Sequence, residues 1–155
     1  VCAGIALALS ELPVTLMERH GLGARVHDRG GEREVRFLCR DAPRLLPVWY
    51  AGRLRVARWG CRRGESRVLP CTAWTWQATV AAGGWARWAA EAVDIPATMG
   101  LENGVWYAVR QGMRGVLVRD ERGIPVVYMV CEPASHYYEV MTRGRRMPVL
   151  IGERI

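Results

Sequence analysis

The sequence contains no lysine; all 22 of its basic residues are arginine, against 15 acidic residues. That absence excludes a Walker-type phosphate lysine, a lysine Schiff base and a pyridoxal enzyme, and it leaves the amine of the first residue as the one expected primary amine. Phenylalanine and asparagine occur once each, as Phe37 and Asn103. Histidine is scarce as well: His20 and His27 flank a glycine-rich stretch with no third ligand at useful spacing, so neither a metal nor any other cofactor is expected. Cys2, Cys39, Cys61, Cys71 and Cys131 form no CxxC pair and are odd in number, which reads as a reducing, cytoplasmic setting with free thiols. Ser10, Ser66 and Ser135 have neither a GxSxG nor an SxxK setting, which argues against a serine hydrolase. Long apolar runs are missing too. The longest uncharged stretch, Val68 to Ala86, is interrupted by Pro70, Gln77 and Gly83-Gly84 and is not expected to span a membrane. The opening residues have no basic leader and soon meet Glu11, so a secretory signal is not expected.

What remains is ample for a core. With 155 residues, 50% hydrophobic and 24% charged, the chain is expected to form one domain over residues 1–155, and no repeat or linker divides it. The net charge of +7 favours an anionic partner.

Strand signals outnumber helix signals. Residues 45–60 read as a hairpin turning at Ala51-Gly52, with Leu54 and Val56 alternating with Arg53 and Arg55. Residues 115–130 read as a second hairpin, two β-branched runs joined around Asp120-Glu121-Arg122-Gly123. Alanine-rich residues 83–93, with Trp85, Trp88 and Ala92 at three- and four-residue spacing, predict a short helix begun after a glycine pair. Ser135 to Thr142 predicts one or two helical turns with Tyr138 and Met141 on one face. Val14 to Asp41, rich in charge and glycine, reads as irregular or short-stranded surface. The expected fold is therefore α+β, a largely antiparallel, curved or barrel-like sheet with a few short helices.

Cys2 stands out by position. If residue 1 is removed, its thiol lies beside an α-amine whose unperturbed pKa is about 8. An aldehyde condenses with such an amine to an imine, and the neighbouring thiol closes a durable thiazolidine ring. The same pair can serve as an N-terminal nucleophile with the amine as base.

Four segments in order make the chain resemble the SOS-response-associated peptidase (SRAP) family of abasic-site processing proteins. Val1-Cys2-Ala3-Gly4 stands where the family begins Met-Cys-Gly-Arg; Arg58-Trp59-Gly60 ends the first hairpin as the family's does; Pro96, Ala97, Gly100 and Glu102 follow its Val-Pro-Ala-x-Gly-Phe-Tyr-Glu pattern; and Arg146-Met147-Pro148-Val149 is similar to its closing segment. The resemblance spans about residues 2 to 151. It implies an SRAP-like fold and a sensor of abasic sites in single-stranded DNA, a DNA-repair protein that forms a covalent thiazolidine crosslink through Cys2. It also implies that Glu102 moves protons and binds the sugar, a task for a carboxylate of raised pKa.

Two positions depart from the pattern. Trp85-Ala86-Arg87 stands where the family has Asn-Ala-Arg, and Gly144-Arg145 stands where it has His-Asp, which removes an imidazole that assists ring opening. In this reading Arg87, Arg145 and Arg146 contact phosphates, and the Trp85 indole offers a surface for an unpaired base, although tryptophans more often pack in cores. The expected partner is single-stranded DNA carrying abasic sites, bound by a monomer with no membrane and no metal involved. Noncovalent binding of single-stranded nucleic acid and an N-terminal-nucleophile amidase or self-processing peptidase are the alternatives.

Overall fold

Alternation of apolar with charged residues builds the strands Glu32–Leu38 and Arg53–Trp59, and apolar runs build several others, in the computed structural model, which describes residues 2–155. Twelve strands and three short helices are set among them. The elements are β1 (Gly4–Ala8), α1 (Val14–Arg19), β2 (Val26–Arg29), β3 (Glu32–Leu38), β4 (Leu45–Tyr50), β5 (Arg53–Trp59), β6 (Trp74–Trp76), α2 (Gln77–Ala81), β7 (Glu91–Pro96), β8 (Met99–Glu102), β9 (Val105–Ala108), β10 (Gly112–Arg119), β11 (Pro125–Pro133), α3 (His136–Thr142) and β12 (Arg146–Pro148). The result is a single α+β domain, as the strand-rich pattern predicts. Among the described residues no helix is long and apolar enough to cross a membrane.

One sheet runs β2-β3-β1-β8-β9. The other runs β10-β7-β4-β5-β11-β12, and a direct β10–β11 pairing closes five of its strands into a barrel. Most pairings are antiparallel; β11 runs parallel to β5 and to β6. The two sheets share a core in which Ile5, Leu7, Val35 and Phe37 meet Trp59, Ile95, Met113 and Met129, all fully or almost fully buried. A smaller cluster gathers Cys61, Leu69, Trp85, Tyr128 and the outward valines of β10 and β11.

Both predicted hairpins are present. The first joins β4 to β5 with Tyr50 opposite Arg53, and its turn residues Ala51 and Gly52 both have positive φ, the geometry that suits the twist of a two-residue hairpin. The second pairs Gly115 with Met129 and Arg119 with Pro125. The helix at the end of the chain forms as α3, where the Ser135 hydroxyl accepts a hydrogen bond from the Tyr138 amide (3.1 Å) and Tyr138 faces the core.

Two expectations need correction. Residues 83–93 do not form a helix: only a single 3-10 turn, Ala86–Trp88, is present, Ala89 turns left-handed at φ 51°, and the chain enters β7 at Glu91. There Val93 and Ile95 point into the barrel between β10 and β4, so tertiary pairing overrides alanine's helical propensity. Residues 14–41 are also more than surface. They contain the seven-residue strand β3 and bury Leu22, Val35 and Phe37 completely.

Candidate functional site around Cys2 and Glu102

The start of β1 and the end of β8 lie side by side. Gly4 pairs with Leu101, and the Ala3 amide donates to the Leu101 carbonyl at 2.7 Å, which sets Cys2 beside the strand that ends in Glu102. Both side chains are withdrawn from water, with residue exposures of 1% for Cys2 and 4% for Glu102. After Glu102 the chain turns at Asn103-Gly104, both at positive φ, and β9 returns so that Tyr107 pairs with Gly100. That glycine is required. A Cβ at position 100 would fall 2.5 Å from the Tyr107 hydroxyl oxygen, so its absence lets the phenol lie across β8.

The Tyr107 hydroxyl lies against the Cys2 thiol and 3.4 Å from the Tyr138 hydroxyl on α3, with the two rings edge to face. Tyr138 in turn donates to Glu102 Oε2 over a long 3.5 Å. A chain of buried hydroxyls thus runs from sulfur to carboxylate. The Cys2 thiol itself donates to the Gly4 carbonyl at 2.9 Å.

Burial sets the electrostatics here. It pushes the Cys2 thiol up to about 11, against backbone contacts from Leu101 and Gly4 that favour the thiolate. It also raises the Glu102 carboxyl above the ordinary glutamate range, with the Tyr138 hydroxyl and the Arg146 charge opposing the rise. Tyr107 and Tyr138 are raised by the same loss of water and are phenols at neutral pH. Cys131, buried in the same core, is pushed up to about 12, mainly by burial and secondly by Cys2. At neutral pH the thiols and phenols of this cluster hold their protons, and burial raises the affinity of the Glu102 carboxyl for one. The carboxyl and phenols can pass a proton, whereas the thiol has to lose one before it attacks.

The closing segment completes the site. The Asn103 side chain donates to the Thr142 carbonyl (2.9 Å), Thr142 Oγ1 accepts from the Gly144 amide (3.0 Å), and Gly144 lies so close that a Cβ there would be 3.0 Å from Glu102 Cγ. β12 then pairs with the end of β11, and Arg146 lays its guanidinium 3.8 Å from the ring centroid of Trp74 and 5.9 Å from that of Trp76.

Cys2, Glu102 and Arg146 are therefore brought together, with Gly144 against the carboxylate. Trp85 and Arg87 are not part of that cluster. Trp85 is 6% exposed, packs on Trp88 and Tyr128 in the smaller core and donates its indole N–H to Thr75 Oγ1 at 2.7 Å. Arg87 is exposed with its guanidinium over the Trp88 ring, and Arg145 is exposed in the turn before β12. Sequence reasoning missed Tyr107, Tyr138, Trp74 and Trp76. The Asn103-Gly104 pair flanked by apolar residues is a hairpin signal that places Tyr107 opposite Gly100; the phenol of Tyr138 and the β6 indoles have no such local mark.

Among the described residues no group of three or more His, Cys, Asp or Glu side chains could hold a metal ion. Fold and site together define an α+β barrel protein with a buried thiol–phenol–carboxyl cluster beneath an arginine stacked on tryptophan. No family model, curated protein or solved structure matches the chain.

Proposed function

We propose that this protein is a divergent SRAP-like sensor that captures the aldehyde of an abasic site in single-stranded DNA. The observation that carries the reading is the buried cluster itself, in which the Cys2 thiol and the Glu102 carboxyl are joined through the hydroxyls of Tyr107 and Tyr138. Further support comes from Arg146, a position of the closing motif, whose charge acts on Glu102 and whose guanidinium lies on Trp74.

The chemistry requires that Cys2 be the first residue of the mature chain; Val1, on whose removal this depends, lies outside the described residues. The Cys2 amine attacks the aldehyde carbon and water leaves, giving an imine. The thiol sulfur then adds to the imine carbon while its proton passes to the nitrogen, closing the thiazolidine. Glu102, whose burial raises its affinity for a proton, serves as the acid that protonates the departing hydroxyl and is recharged through the phenols. Arg146 and the exposed Arg145 hold phosphate, and a half-buried indole beside Arg146 offers a face to an unpaired base.

The test is the intact mass of the denatured protein after incubation with single-stranded DNA containing one abasic site, with intact DNA as control. An adduct that Cys2→Ala abolishes, and that Glu102→Gln slows by about 100-fold, is the expected result. A chain shown to begin at Cys2 that gives no adduct sinks the capture mechanism. In that case a second reading stands, noncovalent binding of single-stranded nucleic acid. It is favoured by a thiol held at about 11 and by a glycine where the resemblance implies an imidazole.

A further inference from the structure

A second site lies away from Cys2. β1 carries the chain about 20 Å from Cys2 to Ala8, at roughly 3.3 Å per residue, before α1 begins. Between α1, the β4–β5 hairpin and the far ends of β10 and β11 lies a cavity of about 310 Å³. None of the residues of the Cys2 cluster lines it. Its floor is apolar, formed by the buried side chains of Val48, Ala57 and Leu117. Its walls carry Arg19, Arg53, Arg55 and Arg119, with His20 among them, and no aspartate or glutamate.

Six arginines elsewhere in the fold are paired with carboxylates. Arg29 and Arg36 are paired with Glu34, Arg58 and Arg122 with Asp120, Arg25 with Asp41 and Arg114 with Asp94. Among the described residues none of Arg19, Arg53, Arg55 and Arg119 has an acidic partner. Two of them are nevertheless held in place: Arg55 lies 5.3 Å over the Tyr50 ring, and Arg119 donates one Nη1 bond to the Gly123 carbonyl at 3.1 Å, which leaves most of its fork free. Tyr50, also in the lining, is fixed by a 3.3 Å bond from its hydroxyl to Glu91, so its ring is a settled wall. His20 is kept neutral at pH 7 by burial and by the Arg19 charge, and a neutral imidazole can both donate and accept.

Unpaired guanidinium forks fit the oxygens of a phosphomonoester, which they bind in bidentate fashion. An apolar floor beside a tyrosine ring fits a flat heterocycle, and the volume lies at the lower end of the range for small-ligand sites. We propose that this cavity binds a nucleoside monophosphate, either free or as the phosphorylated end of a nucleic-acid strand. The site is independent of the chemistry at Cys2.

Isothermal titration of the full chain with AMP, adenosine, inorganic phosphate and a short thymidine strand with or without a 5′-phosphate tests this. AMP is expected to bind at least tenfold more tightly than either adenosine or inorganic phosphate, because each of those lacks half of the ligand. The paired substitution Arg53→Glu with Arg55→Glu, at exposed positions, is expected to weaken AMP at least tenfold, and Arg119→Gln alone about threefold. Circular dichroism checks that each variant is folded. Arg146→Gln is expected to leave AMP binding unchanged, which separates this site from the Cys2 cluster. If the 5′-phosphorylated strand binds better than its 5′-hydroxyl form, the source is a strand end; if only AMP binds, it is the free nucleotide. Equal binding of AMP and inorganic phosphate, equal binding of AMP to wild type and to both folded variants, or no AMP binding at all overturns the proposal.

Discussion

The guanidinium of Arg146 lies 3.8 Å from the ring centroid of Trp74, at the edge of the cluster that contains Cys2 and Glu102. A stacked cation of this kind contributes about 0.5 to 2 kcal/mol, and its outward N–H groups remain available to phosphate. Arg146→Gln is therefore expected to lower stability in urea by about 1 kcal/mol. It should also reduce the salt slope of single-stranded DNA binding by about 0.7 to 1, measured as the logarithm of affinity against the logarithm of salt concentration. An unchanged slope would show that Arg146 serves packing alone.

The Cys2 thiol predicts an alkaline weakness. Burial raises it from 9.0 to about 11, so the native state keeps a proton that the unfolded state releases. The resulting stabilisation is fully present below pH 9 and is lost as pH climbs to 11, about 3 kcal/mol in all. Urea unfolding of wild type and Cys2→Ala across this range should show the difference between them changing by that amount. A constant difference would mean that the thiol titrates normally.

Glu34 predicts the opposite edge. Burial works to raise this carboxyl, but hydrogen bonds from Arg29 (2.7 and 2.9 Å) and Arg36 (2.9 Å) prevail and hold it below its ordinary value. Its contribution is thus present above pH 4.5 and is lost as pH falls through the lower native value. Glu34→Gln is expected to cost about 1 to 3 kcal/mol at pH 7 and much less near pH 2, because it leaves two guanidinium groups without their shared partner. Acid titration followed by tryptophan fluorescence reads this out; identical acid midpoints for the two proteins would contradict it.

Gly60 tests the barrel. Its φ is 63°, and a Cβ there would overlap the Thr72 carbonyl oxygen and stand 2.5 Å from Ala73 Cα, backbone that cannot swing aside. Gly60→Ala should destabilise the fold by about 3 kcal/mol or more, whereas Gly123→Ala, at similar φ but with open space around it, should cost only about 1 kcal/mol. Thermal unfolding of the two variants side by side measures the gap.

How much of this was legible in the sequence depended on whether the deciding contact was local. The hairpins at 45–60 and 115–130 carry their own turn residues and alternating pattern, so they read directly. The strand at 91–96 did not: Val93 and Ile95 alternate, but the alanines around them speak for helix, and the choice is made by β10 and β4. In β3 the alternation of Val35 and Phe37 with Glu34 and Arg36 was hidden among charges that pair with one another across the sheet face. At the candidate site, position marks Cys2 and motif order marks Glu102. The phenols between them were not legible, since Tyr107 and Tyr138 meet only after β9 and α3 have been brought to the same end of the core.

The ring of strands closes late. β11 pairs with β10, β5, β6 and β12, and until it arrives β5 and β10 are open edges. A ribosome builds from the amino end, so β4, β5 and β7 emerge with their apolar faces formed and no closing partner until residues 125–133 follow. Nascent chains halted before that point should be sticky and protease-sensitive, and chains released just beyond it should not. The protein's period of greatest vulnerability is thus its own synthesis, which makes its yield in a cell a question of elongation speed and chaperone supply as much as of final stability.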